Sequence, residues 1–296
     1  MEDGAWQISP DFELDLSQPR IMAILNVTPD SFSDGGRLSS PGLVTEAAAC
    51  AVADGADVLD VGGESTRPGS APVSERDQIA RVIPAIKAIR DAGIAAPISI
   101  DSTRAAVARA ALDAGADAIN DVSGGMDDEG MLPLAAEFRC GLILMHRLRA
   151  PADDRYSDRY STHESPSYDN VVNNVHDALA SRLDAATLAG VSPGAIVMDP
   201  GLGFGKTVEQ NLALIRGTPV LRELGRPILC GTSRKSFVGR IAAPDGAAPA
   251  PPADRDPASI VFALRHLEAG ARLFRVHDVR SHAEAFRVHR ALGDAD

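Results

Sequence analysis

Short apolar runs punctuate this chain at regular intervals, and each one stops at polar or glycine residues. They are Ile21–Val27, Val58–Val61, Ile98–Ile100, Ala118–Val122, Leu142–Met145, Ile196–Met198, Ile228–Cys230 and Arg272–Val276. Continuous apolar character suits strands buried on both faces, as in a parallel sheet. Between the runs lie alanine-rich amphipathic stretches of helix length, such as Val44–Ala53, Arg76–Ala92, Thr103–Ala114, Tyr168–Ala189 and Pro257–Ala269. Strands alternating with helices make βα units, and eight of them predict an α/β protein built as one (β/α)8 TIM barrel. A doubly wound open sheet is the alternative, and the βα count favours the barrel. Residues 1–296 are read as one domain. Residues 1–20 are expected to form a small hairpin-like extension closing the barrel bottom, with Trp6 packing inside. Arg147–Pro166 and the Ala/Pro-rich residues 242–255 read as loops without a core.

Composition narrows the partners. The chain has 296 residues, 45% of them hydrophobic, which is enough for a large core. Its formal net charge of −12 argues against nucleic acid and anionic membrane as partners. Any anionic substrate must meet locally gathered cations. Cys50, Cys140 and Cys230 are scattered, which suits buried thiols in a reducing cytoplasm. No long apolar run follows Met1-Glu2-Asp3-Gly4, so neither a signal peptide nor a membrane span is expected.

The strand ends carry the chemistry. Active sites of this fold lie where the strands end at the C-terminal face. In chain order the ends present Asn26, Asp60 with Glu64, Asp101, Asn120 with Asp121, His146, Asp199, the run Ser233-Arg234-Lys235-Ser236, and Arg275-Val276-His277-Asp278. Asp101, Asn120 and Asp199 suit a flat heterocycle with several N–H groups, because a carboxylate accepts two hydrogen bonds in one plane. Arg275, His277 and Asn26 suit an oxyanion or a metal-bound diphosphate. Lys235 stands between these halves, and Ser236 is expected to begin a helix whose free N–H groups could hold a carboxylate. Asp60, Glu64, Asp121 and Asp278 fit structural pairing as well as substrate contact. His146 either lines the pocket or fills it. His163, His176, His266, His282 and His289 have no metal-ligand spacing and are expected at the surface.

Three loops on this rim add detail. Thr28–Gly36 and Gly62–Ser70 are rich in Gly, Ser and Pro, which suits mobile lids. Asp199-Pro-Gly-Leu-Gly-Phe-Gly-Lys-Thr207 looks like a phosphate loop but is not one. Counting back from Gly205-Lys206-Thr207, position 200 would have to be glycine, and it is Pro200.

Seven stretches in order resemble the dihydropteroate synthase family. They are Ile24–Gly36 (ILNVTPDSFSDGG), Asp60–Gly69 (DVGGESTRPG), Ser99-Ile-Asp-Ser102, Ile119-Asn-Asp-Val122, Asp199–Lys206 (DPGLGFGK), Gly231–Phe237 (GTSRKSF) and Arg275-Val-His-Asp278. The resemblance implies condensation of 6-hydroxymethyl-7,8-dihydropterin diphosphate with 4-aminobenzoate, giving 7,8-dihydropteroate and pyrophosphate. It implies that Asp101, Asn120, Asp199 and Lys235 hold the pterin. Asn26 would help hold Mg²⁺, with Arg275 and His277 on the diphosphate; Lys235, Arg275 and His277 are thus the catalytic candidates. Thr66, Arg67, Pro68, Phe204 and Ser236 would line the aminobenzoate site, with Phe32 and Asp34 closing over it. Lys206 is left as a structural or solvated residue. The family is commonly dimeric, so a homodimer is expected. Where the family usually reads Met-His-Met-x-Gly-x-Pro, this chain reads Met145-His-Arg-Leu-Arg-Ala-Pro151. Arg147 and Arg149 there either adjust substrate contacts or are solvated. The alternatives are a non-catalytic pterin-binding paralogue and a methyltetrahydrofolate-dependent methyltransferase. The latter is not expected to carry the Ser65–Gly69 or Ser233–Phe237 stretches.

Overall fold

A computed structural model of the protein describes residues 4–28, 40–161 and 163–293. The chain opens with an antiparallel hairpin, β1 (Ala5–Ser9) and β2 (Phe12–Asp15). Eight strands follow among the described residues: β3 (Arg20–Asn26), β4 (Val58–Gly62), β5 (Ile98–Asp101), β6 (Ala118–Asp121), β7 (Gly141–Met145), β8 (Ile196–Asp199), β9 (Leu229–Cys230) and β10 (Leu273–Val276). They form one sheet in the order β8-β7-β6-β5-β4-β3-β10-β9, and every ladder is parallel. The barrel nearly closes at the β8–β9 seam. There Met198 bridges Ile228, and its amide donates to Pro227 O at 2.9 Å. All eight apolar runs of the sequence are strands, and the barrel prevails over the open sheet.

Among the described residues ten α-helices fill the connections: α1 (Pro41–Asp54), α2 (Glu75–Asp91), α3 (Ala105–Asp113), α4 (Met131–Phe138), α5 (Val171–Leu188), α6 (Val208–Arg216), α7 (Thr218–Leu221), α8 (Ser236–Ala242), α9 (Asp256–Ala269) and α10 (Val279–Gly293). Local chemistry sets their starts. Ser74 accepts the Asp77 amide ahead of α2, and Thr207 forms a reciprocal capping box with Gln210 ahead of α6. The stretch 242–255 is not wholly irregular: Ala242 ends α8, and Pro252–Arg255 makes a 3₁₀ turn.

Period-two alternation splits the interior into two chemistries. On β3, Ile21, Ala23 and Leu25, with Val27 just past its end, join the apolar layer under the helices. Met22 turns inward instead, joining Val58, Ala118, Ile143, Val197, Leu229 and Leu273 in a second cluster. Trp6, Ile8, Leu14 and Leu16 from the hairpin region complete that cluster, so the hairpin plugs the barrel bottom as expected. Trp6 is fully buried, and its indole N–H donates to Ala195 O at 2.8 Å. Gly141 makes room, since a Cβ there would sit 2.8 Å from the Trp6 ring. One step further along the strands, the inward positions turn polar, and the site begins.

Burial corrects some expectations. His266 and His282 are fully buried, not at the surface. They share buried helix faces with Ala263 and Leu267 on α9, and with Val279, Ala283 and Phe286 on α10. Cys140 and Cys230 are buried thiols as expected, but Cys50 is exposed on α1.

Candidate functional site

Above the apolar plug lies a layer of inward polar side chains from adjacent strands. Asp60 on β4 is opposite Ser99 on β5, and Asp101 on β5 is opposite Asn120 on β6. Arg275, the inward residue of β10, reaches across this layer. Its Nε donates to Asp60 Oδ2 and its Nη2 to Asp101 Oδ2, both at 2.6 Å. Asn120 Nδ2 donates to the same Asp60 oxygen at 3.1 Å, and the Ser99 hydroxyl donates to Asp60 Oδ1. Asp60 is fully enclosed, so structural pairing rather than cavity contact is its part. Burial pushes the Asp101 carboxyl up to about 7, against the pull of Arg275. The two carboxylates hold Arg275 firmly charged. Two of its nitrogens are engaged, which leaves Nη1 for a ligand.

A cavity of about 600 Å³ opens over this layer. Its walls include Asn26, Thr66, Arg67, Pro68, Asn120, Asp199, Phe204, Lys235, Ser236, Arg275 and His277. Every described site residue expected from the sequence therefore borders one space, except Asp101. Asp101 stands behind Arg275 and is 5% exposed. Phe32 and Asp34, with most of the first loop, lie outside the described residues.

Asp199 ends β8 at the cavity wall. Its Oδ1 accepts the Gly201 amide at 2.7 Å, which leaves Oδ2 for a ligand. Burial pushes its carboxyl upward; the Gly201 amide and the cations Lys235, Lys206 and Arg275 oppose this. The glycines that follow answer to close approach. A Cβ on Gly201, at φ 68°, would meet His146 O at 1.8 Å, and one on Gly203 would meet Lys235 Cδ at 3.0 Å. Lys235 Nζ lies 4.0 Å from the centre of the Phe204 ring. Burial and the nearby Arg275 push Lys235 down to about 8, opposed by Asp199 and Asp101.

At the neighbouring ends of β9 and β10, Ser233 Oγ accepts the His277 amide at 3.2 Å and lies 2.9 Å from His277 Nδ1. Donation of the hydroxyl proton to Nδ1 leaves Nε2 as the N–H of a neutral imidazole. Burial, then the surrounding cations Arg234, Arg275, Arg67 and Lys235, hold His277 neutral. The second loop brings Thr66, Arg67 and Pro68 to the cavity. Glu64 ties that loop down, accepting the Val73 amide at 2.7 Å and Gln78 Nε2 at 3.0 Å. Ser236 opens α8 as expected, and its hydroxyl accepts the Ser157 amide at 3.0 Å.

Several residues read ambiguously in the sequence now have definite places. Asp121 accepts the Ser123 and Gly125 amides, and Asp278 accepts the Ser281 amide at 3.1 Å. Both serve the backbone. His146 does not border the cavity; its Nδ1 meets Lys206 Nζ at 3.0 Å, and burial pushes it down to about 3. Lys206 is structural rather than solvated, being fully buried. Arg147 is buried in an ion pair with Asp127, so it is neither solvated nor at the cavity. Sequence reading missed Tyr156, Pro252 and Arg255, which line the outer cavity from the two segments taken as loops. Their signal was weak: one of two tyrosines in a charged loop, and a Pro-Ala-Asp-Arg turn.

A barrel cavity lined by a buried carboxylate, a lysine, an arginine and a neutral histidine suits a ligand that is both heterocyclic and anionic. Residues 22–277 match the family described as pterin binding enzyme. A dihydropteroate synthase from Mycobacterium leprae is 44% identical over 275 residues, 93% of this chain and 94% of that protein. Among solved structures, the Xanthomonas albilineans dihydropteroate synthase with 4-aminobenzoic acid is 37% identical with a TM-score of 0.85. It covers 99% of this chain and 100% of its own. The Yersinia pestis dihydropteroate synthase in a sulfonamide drug complex is 35% identical with a TM-score of 0.87, covering 97% of this chain and 98% of its own. The chain belongs to the dihydropteroate synthase family of pterin-binding enzymes.

Proposed function

We propose that this protein condenses 6-hydroxymethyl-7,8-dihydropterin diphosphate with 4-aminobenzoate, forming 7,8-dihydropteroate and pyrophosphate. The carrying observation is that two sets of polar side chains line one cavity. Asp199, Asn120 and Lys235 suit a heterocycle, and Arg275, His277 and Asn26 suit an anion. In this reading the first group holds the pterin, with Asp101 contributing through Arg275. The second group holds the diphosphate. Thr66, Arg67, Pro68, Phe204 and Ser236 take the aminobenzoate, and Phe32 and Asp34 close over it.

The chemistry follows from charge placement. The C–O bond to diphosphate breaks, the electron-rich pterin carries the developing cation, and the aniline nitrogen forms the new C–N bond. Arg275 and the His277 Nε2–H stabilise the departing charge. The enclosing walls exclude competing water. The aniline nitrogen sheds its proton after attack, so no strong base is required. A magnesium ion, when bound, supplies further neutralisation of the diphosphate. Asn26 offers a hard oxygen at the cavity wall, and no cluster of three His, Cys, Asp or Glu exists among the described residues. That donor set fits magnesium, which keeps several waters and takes most other oxygens from a phosphate substrate.

The rest of the reading is one pterin-binding barrel domain working as a cytoplasmic homodimer. Val261 on α9 and Val288 and Leu292 on α10 are at least 60% exposed, which supports a self-association face. The three free cysteines support a reducing compartment. No described helix is long and apolar enough to cross a membrane.

Turnover decides the matter. Purified protein with Mg²⁺, dihydropterin diphosphate and 4-aminobenzoate is expected to release pyrophosphate, and sulfonamides are expected to compete with 4-aminobenzoate. Ligand binding without pyrophosphate release would leave a non-catalytic pterin binder.

A further inference from the structure

The loop between Asp199 and Thr207 meets the cavity through Leu202, Gly203 and Phe204. A backbone this rich in glycine is loose unless something holds it. Here its polar groups are gripped by side chains. Lys206 folds back on its own loop, and its Nζ donates to Gly201 O at 2.9 Å and Phe204 O at 2.8 Å. The same ammonium reaches His146 Nδ1 at 3.0 Å and His146 O at 3.3 Å, tying the loop to the end of β7. Asn211 Oδ1 accepts the Gly203 amide at 2.6 Å, and Asp154 Oδ2 accepts the Gly205 amide at 2.8 Å. Tyr168 OH donates to Gly205 O at 3.0 Å. None of these four side chains borders the cavity among the described residues.

A fully buried lysine is costly, and a methionine of similar length would fill the space without that cost. Lys206 does what methionine cannot. It joins carbonyl groups from both ends of the turn, and its charge faces Asp199 and Asp154. We propose that Lys206 is a positioning residue for the reaction: with Asp154, Asn211 and Tyr168 it clamps Gly201–Gly205 so that Phe204 and Asp199 are preset for their ligands. The clamp never touches substrate. Through Asp154 it also links the catalytic loop to the 147–166 segment, which contains none of the seven stretches. This rests on the dihydropteroate-forming reading.

The test combines kinetics with amide exchange on the purified full chain. Lys206→Met is expected to lower kcat/KM by about 100-fold, the scale of a small misplacement of reacting groups. The Gly203 and Gly205 amides should then exchange faster, and the melting curve should remain cooperative. Asp154→Ala is expected to raise KM for 4-aminobenzoate about ten-fold with a smaller change in kcat. Asp154→Asn, which can still accept the Gly205 amide, is expected to recover most of that loss. Wild-type kinetic constants in a folded Lys206→Met would overturn the proposal. Should that variant not fold, wild-type KM in both Asp154→Ala and Tyr168→Phe overturns it equally. Absent turnover in the wild-type chain would sink the reaction instead. In that event unchanged Gly205 exchange in Asp154→Ala still overturns the clamp, and faster exchange supports it.

Discussion

The ammonium of Lys235 stands 4.0 Å from the centre of the Phe204 ring, on the wall where pterin and aminobenzoate would meet. Gly203, one residue before the ring, leaves room for the lysine stem. The pair thus sets the direction of the cation as well as its place. Phe204→Leu keeps most of the bulk and removes the π face. A cation–π contact contributes about 0.5–2 kcal/mol, so KM for the pterin substrate should rise roughly two- to thirty-fold. Steady-state kinetics with pterin diphosphate as the varied substrate checks this. An unchanged KM would show that the ring serves only the aminobenzoate side.

Arg275 has two tasks that one substitution would confuse. It answers Asp60 and Asp101, and it faces the cavity. Arg275→Ala leaves two buried carboxylates side by side, and breaking a buried pair costs about 3–5 kcal/mol. A lower denaturation midpoint is therefore expected before any ligand is added. Adding Asp60→Asn should restore part of that stability. In the double variant, affinity for pterin diphosphate should still fall much further than affinity for the free pterin. Equal losses for both ligands would assign Arg275 to the fold alone.

The strands were legible because each apolar run ends abruptly at polar or glycine residues, several of which reach the cavity. Ile24 and Asn26 alternate inward on β3 just as the spacing implies. The partners of those residues were not legible. Arg275 and Asp60 lie 215 positions apart, and only barrel closure and register bring them together. Lys206 read as either structural or solvated because charge is usually outside, and nothing local reveals that a loop will fold over its own lysine. His266 and His282 could have been found. Ser259, Ala263, His266 and Leu267 recur at helical spacing on a buried face, as do Val279, His282, Ala283 and Phe286.

Trp6 offers a test of the plug that should leave chemistry alone. Its ring packs against Gly141 at the end of the barrel opposite the cavity. Trp6→Ala should cost about 3–5 kcal/mol through the cavity left behind. Chemical denaturation measures that loss. KM for both substrates should stay at the wild-type value under conditions where the variant is folded. A changed KM would mean that the plug also sets the geometry of the far rim.

Asp199 carries the sharpest binding prediction. Its Oδ1 fixes Gly201, and its Oδ2 remains for the heterocycle. Asp199→Ala removes the acceptor and orphans a buried amide, each a loss of about 1–3 kcal/mol. The orphaned amide weakens the fold, and the lost acceptor should lower pterin binding roughly 5- to 150-fold by calorimetry. Asp199→Asn keeps one acceptor and should fall less. Unchanged pterin affinity in Asp199→Ala would refute the assignment.

The two buried lysines make stability and activity move in opposite directions with pH. Lys235 is pushed down to about 8 and Lys206 to about 7, both chiefly by burial. In the unfolded chain each returns to the ordinary lysine value of about 10.4. Below about 7 both states carry both protons, and the folded chain bears the full desolvation penalty. As pH rises past 7 the folded lysines release protons that the unfolded chain still binds, so unfolding free energy rises. Above about 9 the buried thiols of Cys140 and Cys230, both pushed up to about 12, act in the other direction. The window is therefore about pH 7 to 9, where thermal midpoints should climb. Activity should do the reverse, because the Lys235 ammonium is lost above about 8 and kcat/KM for pterin diphosphate falls with it. Lys235→Arg keeps a cation at any accessible pH and should flatten that basic limb. A basic limb that persists in Lys235→Arg would assign the titration to another group, such as Lys206.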